Sequence, residues 1–123
     1  MKRKSMVKWH AKPKEDDYAA AQTYLSLVMD ASLASRYAKK LSKESTVSFK
    51  AKDIFRASGL PLLGSGNFHV ERDRQKIAAG KALSPLLLVR DDENRKVIIA
   101  DGYHRLCAVY SYDEDALIPC RIV

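Results

Sequence analysis

The period of the apolar positions changes along the chain, and each change marks an element. Between Ala20 and Leu41 they recur at Ala20, Tyr24, Leu27, Ala31, Ala34, Ala38 and Leu41, alternately four and three apart, with Leu25 and Val28 widening the stripe. That is one face of an α-helix. The spacing predicts a single long helix from Asp16 or Asp17, either of which can cap it, to about Leu41. Its alanines would let it lie close to a neighbour, either the domain's own sheet or, as the alternative, a dimer seam. A polar break at Lys43 to Ser45 follows, and Thr46-Val47-Ser48-Phe49-Lys50 alternates as a strand does. Ala51 to Ala57 suits a short helix stopping at Ser58-Gly59. The extended Leu60-Pro61-Leu62-Leu63 and the turn-forming Gly64-Ser65-Gly66 lead to Asn67. This residue can cap a third helix with Val70 and Ile77 inward and Gly80 closing it.

In the second half the apolar runs shorten. Ser84-Pro85 opens Leu86 to Val89, a continuous run typical of a strand covered on both faces. Asp91-Asp92-Glu93-Asn94 turns the chain into Val97-Ile98-Ile99-Ala100, so the pair reads as an antiparallel hairpin. Arg105 to Tyr110 lacks alternation and suits a helix of two or three turns. The elements describe an α/β domain from residue 16 to 123, preceded by a basic tail over residues 1–15.

The stretch between the second strand and this helix, Asp101-Gly102-Tyr103-His104-Arg105, carries the candidate chemistry. A strand, a tight turn and a helix start follow one another here. Glycine at the bend permits positive φ and lets a ligand approach bare backbone. The first helical turn leaves N–H groups unpaired at the positive end of the dipole, which favours an anion. Arg105 can hold a phosphate through two parallel hydrogen bonds, with Tyr103 and His104 beside it. The bland alternative is that Asp101 is a plain cap, Gly102 a plain turn residue and Arg105 the partner of a surface carboxylate.

Charge changes this picture less than its total suggests. The net charge is +7, yet six of the 22 basic residues are Lys2, Arg3, Lys4, Lys8, Lys12 and Lys14, with no acid among them. The remainder carries 16 basic residues against 15 acidic ones. Non-specific contact with nucleic acid is therefore an expectation for residues 1–14 alone, where a solubilising arm is the other reading. Two cysteines in apolar stretches fit buried thiols in a reducing compartment. There is no apolar run of transmembrane length and no apolar signal core behind the basic start. The expectation is a cytoplasmic protein without a membrane partner, its oligomeric state open.

The order Leu83-Ser84-Pro85-Leu86-Leu87-Leu88-Val89, then Val97-Ile98-Ile99-Ala100-Asp101-Gly102-Tyr103-His104-Arg105, then Ile118-Pro119-Cys120-Arg121-Ile122-Val123 resembles the ParB/sulfiredoxin superfamily. The likeness covers Asn67 to Val123 and extends weakly back to Val47. It implies a small mixed sheet flanked by helices, with a nucleotide's phosphates held at the Gly-x-x-Arg turn and Mg²⁺ accompanying a triphosphate. By neighbourhood, the helix that lines the site in the relatives adds Asn67, His69 and Lys76 to the candidates Gly102, Tyr103, His104, Arg105 and Asp101. For those three the alternative is a cap or a solvated face.

The departures narrow the chemistry. Sulfiredoxins read Gly-Cys-His-Arg here with a catalytic cysteine, and Tyr103 stands in its place. Cys107, one helical turn on, cannot substitute, so sulfinic-acid reductase activity is not expected. ParB-type CTPases read Gly-Glu-Arg-Arg, and Tyr103 and His104 depart from that, which puts cytidine recognition in doubt. The helix-turn-helix that follows this fold in DNA-reading relatives does not follow Val123, so specific DNA reading by that route is not expected.

Other chemistries weigh less. A zinc site from His69, His104, Cys107 and Cys120 lacks any close ligand pair. Asp113-Glu114-Asp115 reads as a solvated loop or as metal ligands. Two classes remain. One is an ATP- or CTP-dependent phosphotransferase or hydrolase acting on a phosphorylated small molecule or nucleotide, with no catalytic base assigned. The other is a non-catalytic module that binds nucleic acid or protein.

Overall fold

The computed structural model describes residues 6–123. Lys2, Arg3 and Lys4 of the expected basic arm lie outside the described residues. The chain runs α1 (Glu15–Val28), α2 (Ala31–Lys43), β1 (Val47–Lys50), α3 (Ala51–Ser58), α4 (Phe68–Ala78), β2 (Leu86–Asp91), β3 (Lys96–Asp101), α5 (Tyr103–Tyr112) and β4 (Leu117–Ile122). It is a mixed α/β architecture, and the strands form one sheet in the order β1-β4-β2-β3.

The single long N-terminal helix is corrected to two. Met29 is extended at φ −154°, and Asp30 starts α2 as its N-cap, accepting the Ser32 N–H at 3.2 Å. The Ser32 hydroxyl donates to the same carboxylate. An Asp-x-Ser cap satisfies the free N–H groups of a new helix, so the chain folds back and α1 packs against α2. The break also shifts the phase. In α1 the buried residues are Ala21 and Leu25, while Ala20, Tyr24, Leu27 and Ala31 of the expected inward stripe are exposed. In α2 the buried positions are Ala34, Ala38 and Leu41, as the stripe required. Neither Asp16 nor Asp17 is the cap of α1. That position is Lys14, and Asp17 accepts its backbone N–H at 2.9 Å.

β2 and β3 form the antiparallel hairpin, with Val89 opposite Ile98. Its turn has Asn94 donating to Asp91 and Arg95 at φ 53°. β4 runs parallel to β2, with Leu87 opposite Arg121. A parallel pair needs a crossover, and β3 with α5 supplies it. Leu86 to Val89 are all buried because the sheet is covered on both sides. Leu86, Leu88, Val97, Ile99, Ile118 and Cys120 pack with α3, α4 and α5. Leu87, Val89 and Ala100 pack with Ala21, Leu25, Ala34 and Leu41 of α1 and α2. Arg121 on β4 donates to the Leu41 and Ser42 carbonyls, the latter at 2.9 Å. It thereby caps the C-terminus of α2 with a cation, where the dipole favours one.

The segment before α1 is tied to the domain. The Leu83 N–H donates to the Lys8 carbonyl at 2.9 Å and the His10 N–H to the Leu83 carbonyl at 2.8 Å, while Val7 and Trp9 pack on the core. No helix among the described residues is long and apolar enough to cross a membrane.

Candidate functional site

Asp101 ends β3, Tyr103 begins α5, and the whole reversal falls on Gly102 at φ 112°. Only glycine adopts that angle freely. A Cβ there would stand 2.7 Å from Leu86 Cγ and 2.9 Å from Arg105 Nη2. The core and the guanidinium both press on the bare backbone, and the turn is tight for that reason. Gly102 is the N-cap of α5 and has no side chain with which to cap it. The first N–H groups of α5 therefore lack the usual side-chain acceptor.

Beside this turn lies a cavity of about 310 Å³. The α5 start supplies Gly102, His104 and Arg105. Helix α4 supplies Arg72, Asp73 and Lys76, the entry to α1 supplies Lys14 and Asp17, and Ser84 and Asp101 complete the polar lining. Four cations thus meet three carboxylates. Two of the carboxylates are engaged, Asp17 with the Lys14 N–H and Asp101 with Arg105 Nη2 at 2.8 Å. Asp73 is buried and lies close enough to His104 to act on its imidazole.

Arg105 is held more firmly than its sequence context suggests. Its Nη2 also reaches the Pro85 carbonyl at 3.3 Å, and its Nε is buried without a partner. Asp101 and Arg105 side chains are each 17% exposed. Burial pushes the Asp101 carboxyl above its ordinary value, and the Arg105 guanidinium partly offsets this. Burial likewise lowers the His104 imidazole, helped by His69, whose ring centroid lies 4.8 Å away, and opposed by Asp73. His104 is accordingly a neutral hydrogen-bonding group near neutral pH, able to gain a proton if an anion arrives.

Of the residues singled out from sequence, the fold gathers Asp101, Gly102, His104, Arg105 and Lys76 at one cavity. Tyr103 lies elsewhere, its hydroxyl donating to the Pro61 carbonyl. Asn67 is spent as the α4 cap, accepting from the His69 and Val70 N–H groups at 2.9 and 3.1 Å. His69 reaches the site only through its ring contact with His104. Sequence reasoning missed Arg72, Asp73, Lys14, Asp17 and Ser84. Arg72 stands one turn before Lys76 on the same helix face, a signal that was available. Lys14 carried none, since only tertiary folding brings it to α5.

The acidic loop behaves as an ion-pairing surface. Asp115 meets Lys52 at 2.7 Å and Lys50 at 3.8 Å. Cys107 and Cys120 are free and buried. Among the described residues no three His, Cys, Asp or Glu side chains gather closely enough to hold a metal ion. What the cavity can do is neutralise a small anion between an uncapped helix start and a ring of cations. No family model, no curated protein and no solved structure matches this chain, and the functional reading accordingly rests on the chemistry of this cavity.

Proposed function

We propose that this cavity binds the phosphate of a nucleotide or of another phosphorylated small molecule, in the manner of a ParB/sulfiredoxin-like domain. The observation that carries the reading is the convergence of Lys14, Arg72, Lys76 and Arg105 on the uncapped start of α5. Backbone N–H groups and the dipole favour an anion there. Arg105 lines the cavity, and its buried Nε is an unmet donor. His104 adds a neutral donor that becomes a cation on proton uptake. Phosphoryl transfer or hydrolysis is the enzymatic extension of the same site, since charge neutralisation at the phosphates is its main requirement.

Mg²⁺ in such a complex is held by one or two carboxylates together with phosphate oxygens. Asp73, a buried carboxylate in the cavity lining, would be the residue to take that part. When bound, the ion would add charge neutralisation at the phosphates.

Calorimetric titration of ATP, CTP, GTP, ADP and pyrophosphate, each with and without Mg²⁺, tests the reading directly. At least one should bind and raise the melting temperature, and chromatography of the nucleotide then separates turnover from binding alone. If none binds at millimolar concentration, the reading fails.

A further inference from the structure

The cavity beside the Gly102 turn holds more carboxylates than an anion seat needs. Asp17, Asp73 and Asp101 stand among its four cations, and each of them repels a phosphate. Asp101 has a second task, since it pairs with Arg105 at 2.8 Å. Asp17 and Asp73 do not share it. Among the described residues, neither comes within ion-pair distance of a lining cation. Asp73 is only 4% exposed and Ser84 only 7%, so both are withdrawn from bulk water in a wall that a ligand would touch. Buried polar groups need hydrogen-bond partners. An ionised carboxylate can only accept, at about four lone-pair sites, and the Lys14 N–H fills one such site on Asp17 at 2.9 Å.

The acceptors come from two elements. Asp17 belongs to the first turn of α1 and lies close enough to Asp101 to raise its carboxyl. Asp73 belongs to α4 and acts on His104. One carboxylate thus stands near each of the two side chains that flank the α5 start. The walls offer little to a nucleobase. Among the described residues the apolar side chains of the lining belong to Ala82 and Leu83, and the one ring is the His104 imidazole, already packed beside His69 at 4.8 Å. The volume of about 310 Å³ is at the small end for ligand sites, which run from about 300 to 1,000 Å³.

We infer that the ligand is a sugar phosphate, a phosphomonoester whose hydroxyls donate to Asp17, Asp73 and Ser84 while its phosphate lies by Arg105. This rests on the phosphate reading proposed above and narrows it. Hydroxyl donors turn two repelling carboxylates into charge-assisted acceptors. The lining cations meet a phosphomonoester dianion without Mg²⁺, which leaves Asp73 to a hydroxyl. A nucleotide enters by the same rule, with its ribose phosphate inside and its base outside.

Calorimetry of the full chain in EDTA, with ribose 5-phosphate, AMP and butyl phosphate as probes, tests this. Butyl phosphate has the same charge as the sugar ester and no hydroxyl. Ribose 5-phosphate should bind roughly tenfold or more tightly than butyl phosphate, because a site built for hydroxyls penalises their absence, and within about threefold of AMP. Asp73→Asn removes a charge from the acceptor, so it should shrink the preference for the sugar ester roughly fivefold while butyl phosphate binds no worse. Should that variant fail to fold, Asp17→Asn, at a half-buried position, makes the same test. Equal binding of ribose 5-phosphate and butyl phosphate overturns the inference and leaves the phosphate reading standing. So does AMP binding more than about tenfold tighter than ribose 5-phosphate, binding by nucleoside triphosphates alone, or a preference unchanged in both Asp variants. If no phosphate compound binds at all, the two readings fall together.

Discussion

Arg105 is the residue on which the phosphate reading can be broken, because its ion pair with Asp101 makes two opposite forecasts. Arg105→Ala removes a charge-assisted contact to the anion, a loss of about 1.5–3 kcal/mol, or roughly tenfold to hundredfold in affinity. The same change leaves Asp101, now 17% exposed and paired at 2.8 Å, without its cation. The single variant should therefore also melt earlier. Asp101→Asn isolates the two effects. It frees Nη2 and deletes a carboxylate that competes with an anion for it. Taken at about 6 Å, such a charge is worth about 3 kcal/mol at an effective dielectric constant of about 20, and about 1 kcal/mol once solvent screening in an open cavity is allowed for. Asp101→Asn alone should thus bind roughly fivefold more tightly. In that background Arg105→Ala should lose its stability penalty and keep its binding penalty. Calorimetry with the best-binding nucleotide, alongside melting curves for all four members of the cycle, reads both quantities. If Arg105→Ala leaves affinity unchanged in both backgrounds, Arg105 is a structural partner of Asp101 and nothing more.

Three further outcomes follow from the same geometry. Gly102→Ala should cost about 2–5 kcal/mol of stability in a denaturant titration, since φ 112° strains an L-residue and the new Cβ meets Leu86 at 2.7 Å; a cost under about 0.5 kcal/mol would show that the turn relaxes. His104 has a folded pKa below the ordinary 6.5, so its neutral form contributes stability above that pH and the contribution is lost as pH falls below it. A bound anion reverses the sign, so affinity should rise on acidification through the same range, and His104→Asn should flatten both profiles. Cys120, pushed up by burial to about 11 from 9.0, contributes stability below pH 9 that is lost as pH rises toward 11; Cys120→Ala should remove that alkaline slope, and native Cys120 should resist thiol reagents at pH 8.

Local signals in the sequence are strong where an element carries its own start and stop. Asn67 with Val70 and Ile77 specified α4, Gly59 stopped α3 in the left-handed conformation, and the apolar run Leu86 to Val89 reported a doubly covered strand. The Gly102 turn was legible for the same reason: a strand, one glycine and a helix are adjacent in the chain, and their geometry is local. The helical stripe from Ala20 to Leu41 misled because period alone cannot see a break that keeps polar and apolar residues in step. Asp30 was the available sign, a cap hidden inside an otherwise continuous pattern.

What tertiary structure decided is which charges meet. Lys14, Arg72 and Arg105 are far apart in sequence, and each by itself reads as a solvated cation. Packing of α4 against α5 and of α1 against β3 brings them to one cavity, while Asn67 is consumed as a cap and Tyr103 turns away toward Pro61. It also decided that Arg105 is shared with Asp101, because only the folded turn brings carboxylate and guanidinium within 2.8 Å and removes most of their water. Composition and period specify elements through short-range sterics and hydrogen bonding. The electrostatics of a site depend on distances and desolvation that exist only once those elements have packed.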